Sequence, residues 1–141
     1  MVYIVKQKFN ILELSPSAKI SKRVLLVEPE YYVREVYLRH LAENGFEASH
    51  SPDIKEALVI LKFLQPDVAV LSPHSESSFA NFIYGLSLMR KLHPGLPMVT
   101  VGSTLPVEVL SAILELGVAG HLEKQLSRPS DIITVIRTVL G

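Results

Sequence analysis

Three short apolar runs constrain this chain more than any other feature: VLLV at Val24–Val27, VAVL at Val68–Leu71 and MVTV at Met98–Val101, the last broken only by Thr100. Each is too short for a core helix. Each stops at polar, proline or glycine residues: Glu28-Pro29 after the first, Ser72-Pro73 after the second and Gly102-Ser103 after the third. Such runs read as strands buried on both faces, and a strand covered on both faces needs packing partners above and below its sheet.

The segments between them supply those partners. From Glu30 to Asn44 the residues Val33, Val36, Tyr37 and Leu41 fall at helical spacing, and Asn44-Gly45 is a stop signal. Phe46–Ser49 reads as a short second strand, followed by a helix capped by Ser51 with Pro52 at its first position and Ile54, Ala57, Leu58, Leu61 and Leu64 on one stripe. Gln65-Pro66-Asp67 ends it. A third helix over Phe79–Leu92 turns Phe82, Leu86 and Met89 inward, and His93-Pro94-Gly95 closes it. A fourth over Pro106–Leu116 carries Leu110, Ile113 and Leu114 inward, before Gly117 and a short fifth strand at Gly120–Leu122. The last helix, Ser130–Leu140, presents Ile132, Ile133, Ile136 and Val139. Five strand-helix units in alternation imply right-handed crossovers and an α/β fold with a parallel sheet between two helical layers.

Composition closes off several function classes. The chain has 141 residues, 48% of them hydrophobic, and its 14 basic and 14 acidic side chains cancel. One packed domain is expected, with no field drawing it to nucleic acid. It has no cysteine, which excludes disulfides, thiolate metal sites and thiol catalysis. MVYIVKQKFN lacks the sustained apolar stretch of a signal peptide, and no segment is long enough to span a membrane, so a cytoplasmic location is expected. Residues 1–21 break the strand-helix rhythm: VYIV with Phe9, Ile11, Leu12 and Leu14 reads either as an ordered addition to the domain or as a tail and linker ahead of residues 22–141.

In open parallel sheets, ligands bind beyond the carboxyl ends of the strands. Those positions here are Glu28-Pro29, Ser72, Gly102-Ser103 and Lys124, and with RVLLVEPE, ENGFEA, SPDIKEALVILKFLQPDVAVLS, LPMVTVGS and ELGVAGHLEKQL the chain from Lys22 to Gly141 resembles a response-regulator receiver domain. The resemblance implies a flavodoxin-like, doubly wound five-stranded sheet in the order 2-1-3-4-5 with helices on both faces. Working receivers accept a phosphoryl group on an aspartate after the third strand and hold magnesium with it and an acidic pair after the first. A hydroxyl after the fourth strand and a lysine after the fifth contact the phosphoryl group. By that resemblance the acceptor position is Ser72, the acidic pair is Glu28-Pro29, the hydroxyl position is Gly102 with Ser103 one residue on, the lysine is Lys124, and the aromatic switch position is His121.

The substitutions change the chemistry expected. A serine hydroxyl without a positioned base is a poor phosphoryl acceptor. Magnesium is usually held by one or two carboxylates plus phosphate, and only Glu28 remains, so magnesium binding should be weak or absent and no cofactor is expected. Glu28 and Lys124 should neutralise each other. Ser72 as a hydrolase nucleophile lacks the Gly-x-Ser-x-Gly elbow; His74, His121, Glu28 and Glu76 as a chance metal site are outweighed by exposed loop histidines. The expected function is that of a pseudo-receiver, not an enzyme, which binds protein partners in a signalling system without phosphorylation. Leu105, Val107, Leu116 and Leu126 are candidates for an association face on the fourth and fifth helices, through which a homodimer would form. The competing expectations are a receiver with a non-standard acceptor and a small-ligand sensor whose cavity is lined by Ser72, Ser103 and Lys124.

Overall fold

The structure is a computed structural model that describes residues 21–73 and 78–141. The expected strand and apolar cover within residues 1–20, and His74 and Glu76, lie outside the described residues. Five parallel strands, β1 (Arg23–Val27), β2 (Glu47–Ser51), β3 (Val68–Leu71), β4 (Met98–Gly102) and β5 (Val118–Glu123), form one sheet in the order β2-β1-β3-β4-β5. This is the flavodoxin-like order 2-1-3-4-5. The helices are α1 (Tyr31–Glu43), α2 (Ile54–Ile60), α3 (Phe79–Leu92), α4 (Val107–Glu115) and α5 (Asp131–Leu140).

Successive strand side chains point to opposite faces, so each apolar run feeds two cores at once. Leu25, Val27, Ala69, Leu71 and Met98 pack with Ala57, Phe82, Leu86, Met89 and Ile113 of α2, α3 and α4. Val24, Leu26, Val68, Val70, Val99 and Val101 pack with Tyr37 and Leu41 of α1 and with Ile132, Ile133 and Ile136 of α5. Burial on both faces explains why these strands show no polar alternation.

Four local expectations are corrected. β2 begins one residue later and runs two further than predicted, because its register against β1, from Arg23 with Glu47 to Val27 with Ser51, recruits the polar His50 and Ser51. The α2 cap is therefore Asp53, not Ser51: Asp53 Oδ1 accepts from the Glu56 N–H at 2.8 Å, while Ser51 Oγ donates to the Asp53 carbonyl at 2.8 Å. β5 extends beyond Gly120–Leu122 in both directions. On α4, Leu114 is 47% exposed rather than inward, since Ile113 alone of that helix is fully buried.

The expected association face also shrinks. Leu105 is buried and Leu116 packs against the α2–α4 core. The side chain of Leu126 lies outside the described residues. What remains on α4 is Val107, 76% exposed, with Leu114.

Candidate functional site

The β1 ladder carries one residue past its last apolar position: the Glu28 N–H donates to Ser51 O at 3.0 Å, which fixes the Glu28 side chain at the sheet's carboxyl edge, 1% exposed. A buried carboxylate is tolerated only when its lone pairs find donors. Lys124 Nζ donates to Oε1 at 3.1 Å and the Glu30 N–H donates to Oε2 at 3.0 Å. Lys124 opens the 3-10 turn Lys124–Leu126 directly after β5 and keeps 33% of its side chain exposed. The expected pairing is thus present, and it ties the end of β5 to the end of β1. Arg34 of α1 adds a bond from Nη1 to Glu28 O at 2.9 Å.

The Tyr37 phenol belongs to the same neighbourhood, although nothing in its apolar helical stripe signalled it. Burial, with the Glu28 carboxylate as the second cause, pushes its pKa up from 10.0 to about 12. The neutral phenol is the form the folded chain favours, so its contribution is fully present below pH 10.0 and lost as pH rises through about 12. An absorbance titration of phenolate should show one of the five tyrosines ionising late. Tyr37→Phe should remove that last step; a titration in which it persists would contradict the assignment.

Ser72 stands beside this pair. Its N–H donates to Val27 O at 2.8 Å, it is 4% exposed, and its Oγ has no hydrogen-bond partner among the described residues. Pro29 is half-buried and supplies no ligand atom. Gly102 ends β4 against Pro73: a Cβ there would lie 3.3 Å from Pro73 Cδ and 3.7 Å from His121 Cε1. A side chain at this position is tighter against the Pro73 ring than an ordinary contact, and the ring must shift to admit it. Gly102→Thr should lower stability by roughly 1–3 kcal/mol through overpacking, measured by urea unfolding, and an unchanged midpoint would refute the crowding.

His121 is a corrected expectation, for it is neither a loop residue nor freely exposed. It lies on β5 opposite Thr100, half-buried, with Nδ1 2.9 Å from Thr100 Oγ1 and Nε2 2.9 Å from Ser103 O. A carbonyl only accepts, so Nε2 carries the proton and, in the neutral ring, Nδ1 accepts from the threonine hydroxyl. Ser103 is exposed and contributes its carbonyl, not its hydroxyl. In the sequence Thr100 stands out only as the break in an apolar run, and that lone hydroxyl was the available signal for this contact.

Ser72 borders a cavity between α2 and α3, whereas Lys124 borders another against Tyr32, Val36 and Pro129. Among the described residues no three histidine, aspartate or glutamate side chains gather where they would hold a metal ion, and no helix is long and apolar enough to cross a membrane.

No family model matches the chain, and no curated protein matches it by sequence. Solved structures do match by shape. An orphan response regulator of H. pylori superposes with a TM-score of 0.75 at 17% identity, covering 86% of this chain and 98% of that one. The chemotaxis response regulator CheY4 of Vibrio cholerae gives 0.73 at 18% identity over 85% and 99% of the two chains. A CheY-like receiver domain protein from Methanospirillum hungatei gives 0.76 at 20% identity over 86% and 94%. At such identities the likeness is one of fold. The described chain has the fold of response-regulator receiver domains, with Glu28, Ser72 and Lys124 at the strand ends where such sheets present their ligand-binding residues.

Proposed function

We propose that this chain is a pseudo-receiver: a receiver fold that binds protein partners in signal transduction without being phosphorylated. The observation that carries the reading is the closed pair at the pocket floor. Glu28 spends both carboxylate oxygens on Lys124 and the Glu30 N–H, and the neighbouring strand end holds a serine whose Oγ has no hydrogen-bond partner among the described residues. A receiver needs a free carboxylate to attack phosphorus and further carboxylates to hold the cation that offsets the phosphoryl charge. Here the lysine that would meet a phosphoryl group already has its anion. The fold then offers a fixed surface, and the exposed Val107 and Leu114 of α4 are its apolar contact points for a partner or a second copy.

The direct test is incubation of the full chain with radiolabelled acetyl phosphate and magnesium. No incorporation is expected, and no change in sedimentation on adding the phosphodonor. Stable label on the wild-type chain would overturn the proposal in favour of a non-standard acceptor. Ser72→Asp is expected to stay unlabelled too, because Glu28 remains engaged by Lys124 and the Glu30 N–H and Pro29 supplies no further ligand for the cation.

A further inference from the structure

The cavity between α2 and α3 has a volume of about 370 Å³, at the small end of the range for ligand sites, roughly 300–1,000 Å³. Its walls are the apolar faces of Ile54, Leu58, Phe82 and Leu88. Gly85 permits the helix contact beside it, since a Cβ there would stand 2.9 Å from Ile54 Cδ1. Ser72, Lys55, Asn81 and Tyr84 bring to this cavity polar side-chain groups that make no hydrogen bond or ion pair among the described residues, and the first two stand at its opposite ends. On the sheet side is Ser72, whose buried Oγ lacks a partner among the described residues. At the mouth is the exposed Lys55, which makes no ion pair among the described residues. Asp53, the other charge at the mouth, has Oδ1 turned onto the Glu56 N–H.

We infer that this cavity binds a compact aromatic carboxylic acid carrying a hydroxyl on its ring. The ring lies against Phe82, Leu58 and Leu88; the carboxylate meets Lys55 at the mouth; the ring hydroxyl meets Ser72 Oγ, which turns about χ1 to reach it. An apolar pocket with one orphaned hydroxyl discriminates for a ligand that can satisfy it, because the unpaired group is left without compensation by any other ligand. The site shares Ser72 with the pocket floor but neither Glu28 nor Lys124.

The test is a ¹⁵N chemical-shift titration of the full chain with 4-hydroxyphenylacetate, phenylacetate and 4-hydroxyphenylacetamide at millimolar concentration. Shifts should concentrate at the amides of Ile54, Ser72 and Gly85. 4-Hydroxyphenylacetate should bind about 2–10-fold more tightly than phenylacetate, and Ser72→Ala should abolish that difference. The amide probe and Lys55→Gln should each weaken binding by about 2–5-fold. Leu88→Phe should block the site while leaving the spectrum of the rest of the chain in place. Absence of shifts at those three amides, or a Ser72→Ala variant that still prefers the ring hydroxyl, would overturn the inference.

Discussion

Lys124→Met is expected to destabilise the folded chain by about 3 kcal/mol in urea unfolding, more than any other substitution at the strand ends. The methionine fills the same space, so packing is not the cause. The cause is Glu28, which is 1% exposed and would keep only the Glu30 N–H as a donor. Removing one partner of a buried pair leaves the other's desolvation uncompensated, typically at about 3–5 kcal/mol, and the lower end applies because Lys124 is one-third exposed and water can enter as its side chain leaves. The reciprocal change should be milder. Glu28→Gln preserves an acceptor for the lysine, whose ammonium can otherwise reach solvent, and a loss of about 1 kcal/mol is expected. The two changes touch one contact, so the double variant should be more stable than the sum of the single losses predicts, by about 1–2 kcal/mol. Equal losses for the two single variants, or strict additivity, would mean that the pair does not hold the pocket floor. Should Lys124→Met also gain magnesium binding, the lysine would be shown to occupy the cation's place.

The sequence made the sheet legible because a strand buried on both faces has no choice of composition: Val24–Val27 and Val68–Leu71 could hardly pack otherwise. It made the pocket floor legible because strand ends follow from strands, and Glu28, Ser72 and Lys124 are strand-end residues. Elsewhere the determinants were non-local. β2 carries no large apolar residue, Glu-Ala-Ser-His-Ser, and its extent is set by pairing with β1 rather than by its own residues. Leu114 fits the helical period of α4 as well as Ile113 does, but a nine-residue helix touching the sheet along a single line buries only one of two adjacent leucine-like side chains. His121 carried no local signal at all. Its two hydrogen bonds reach Thr100 and Ser103, residues 21 and 18 positions away that meet it only once β4 and β5 are paired.

Arg90 is the largest determinant that no motif announced, and Arg90→Ala should lower stability by about 3 kcal/mol, with Arg90→Lys recovering less than half of it. From the last turn of α3 its guanidinium reaches two separate chain segments. Nε donates to Leu116 O at 2.8 Å and Nη2 to Gly117 O at 3.1 Å, just past α4; Nη1 donates to Pro94 O at 3.0 Å and Leu96 O at 2.7 Å, in the connection to β4. These carbonyls lie at the ends of elements and in the connection between them, and a lysine offers one donor centre where the fork offers three nitrogens at fixed angles. Gly117 belongs to the same arrangement: its φ of 85° suits glycine, and a Cβ there would press to 3.2 Å from Arg90 Nη2. The consequence reaches the proposed docking surface, because α4 holds Val107 and Leu114 outward only while its carboxyl end is anchored to α3. Amide hydrogen exchange should therefore accelerate in α4 and at the start of β5 in Arg90→Lys, while the amides of Glu28 and Ser72, at the far end of the sheet, keep their protection. Uniform acceleration across the chain would instead make Arg90 a contributor to global stability alone, with no separate hold on the α4 face.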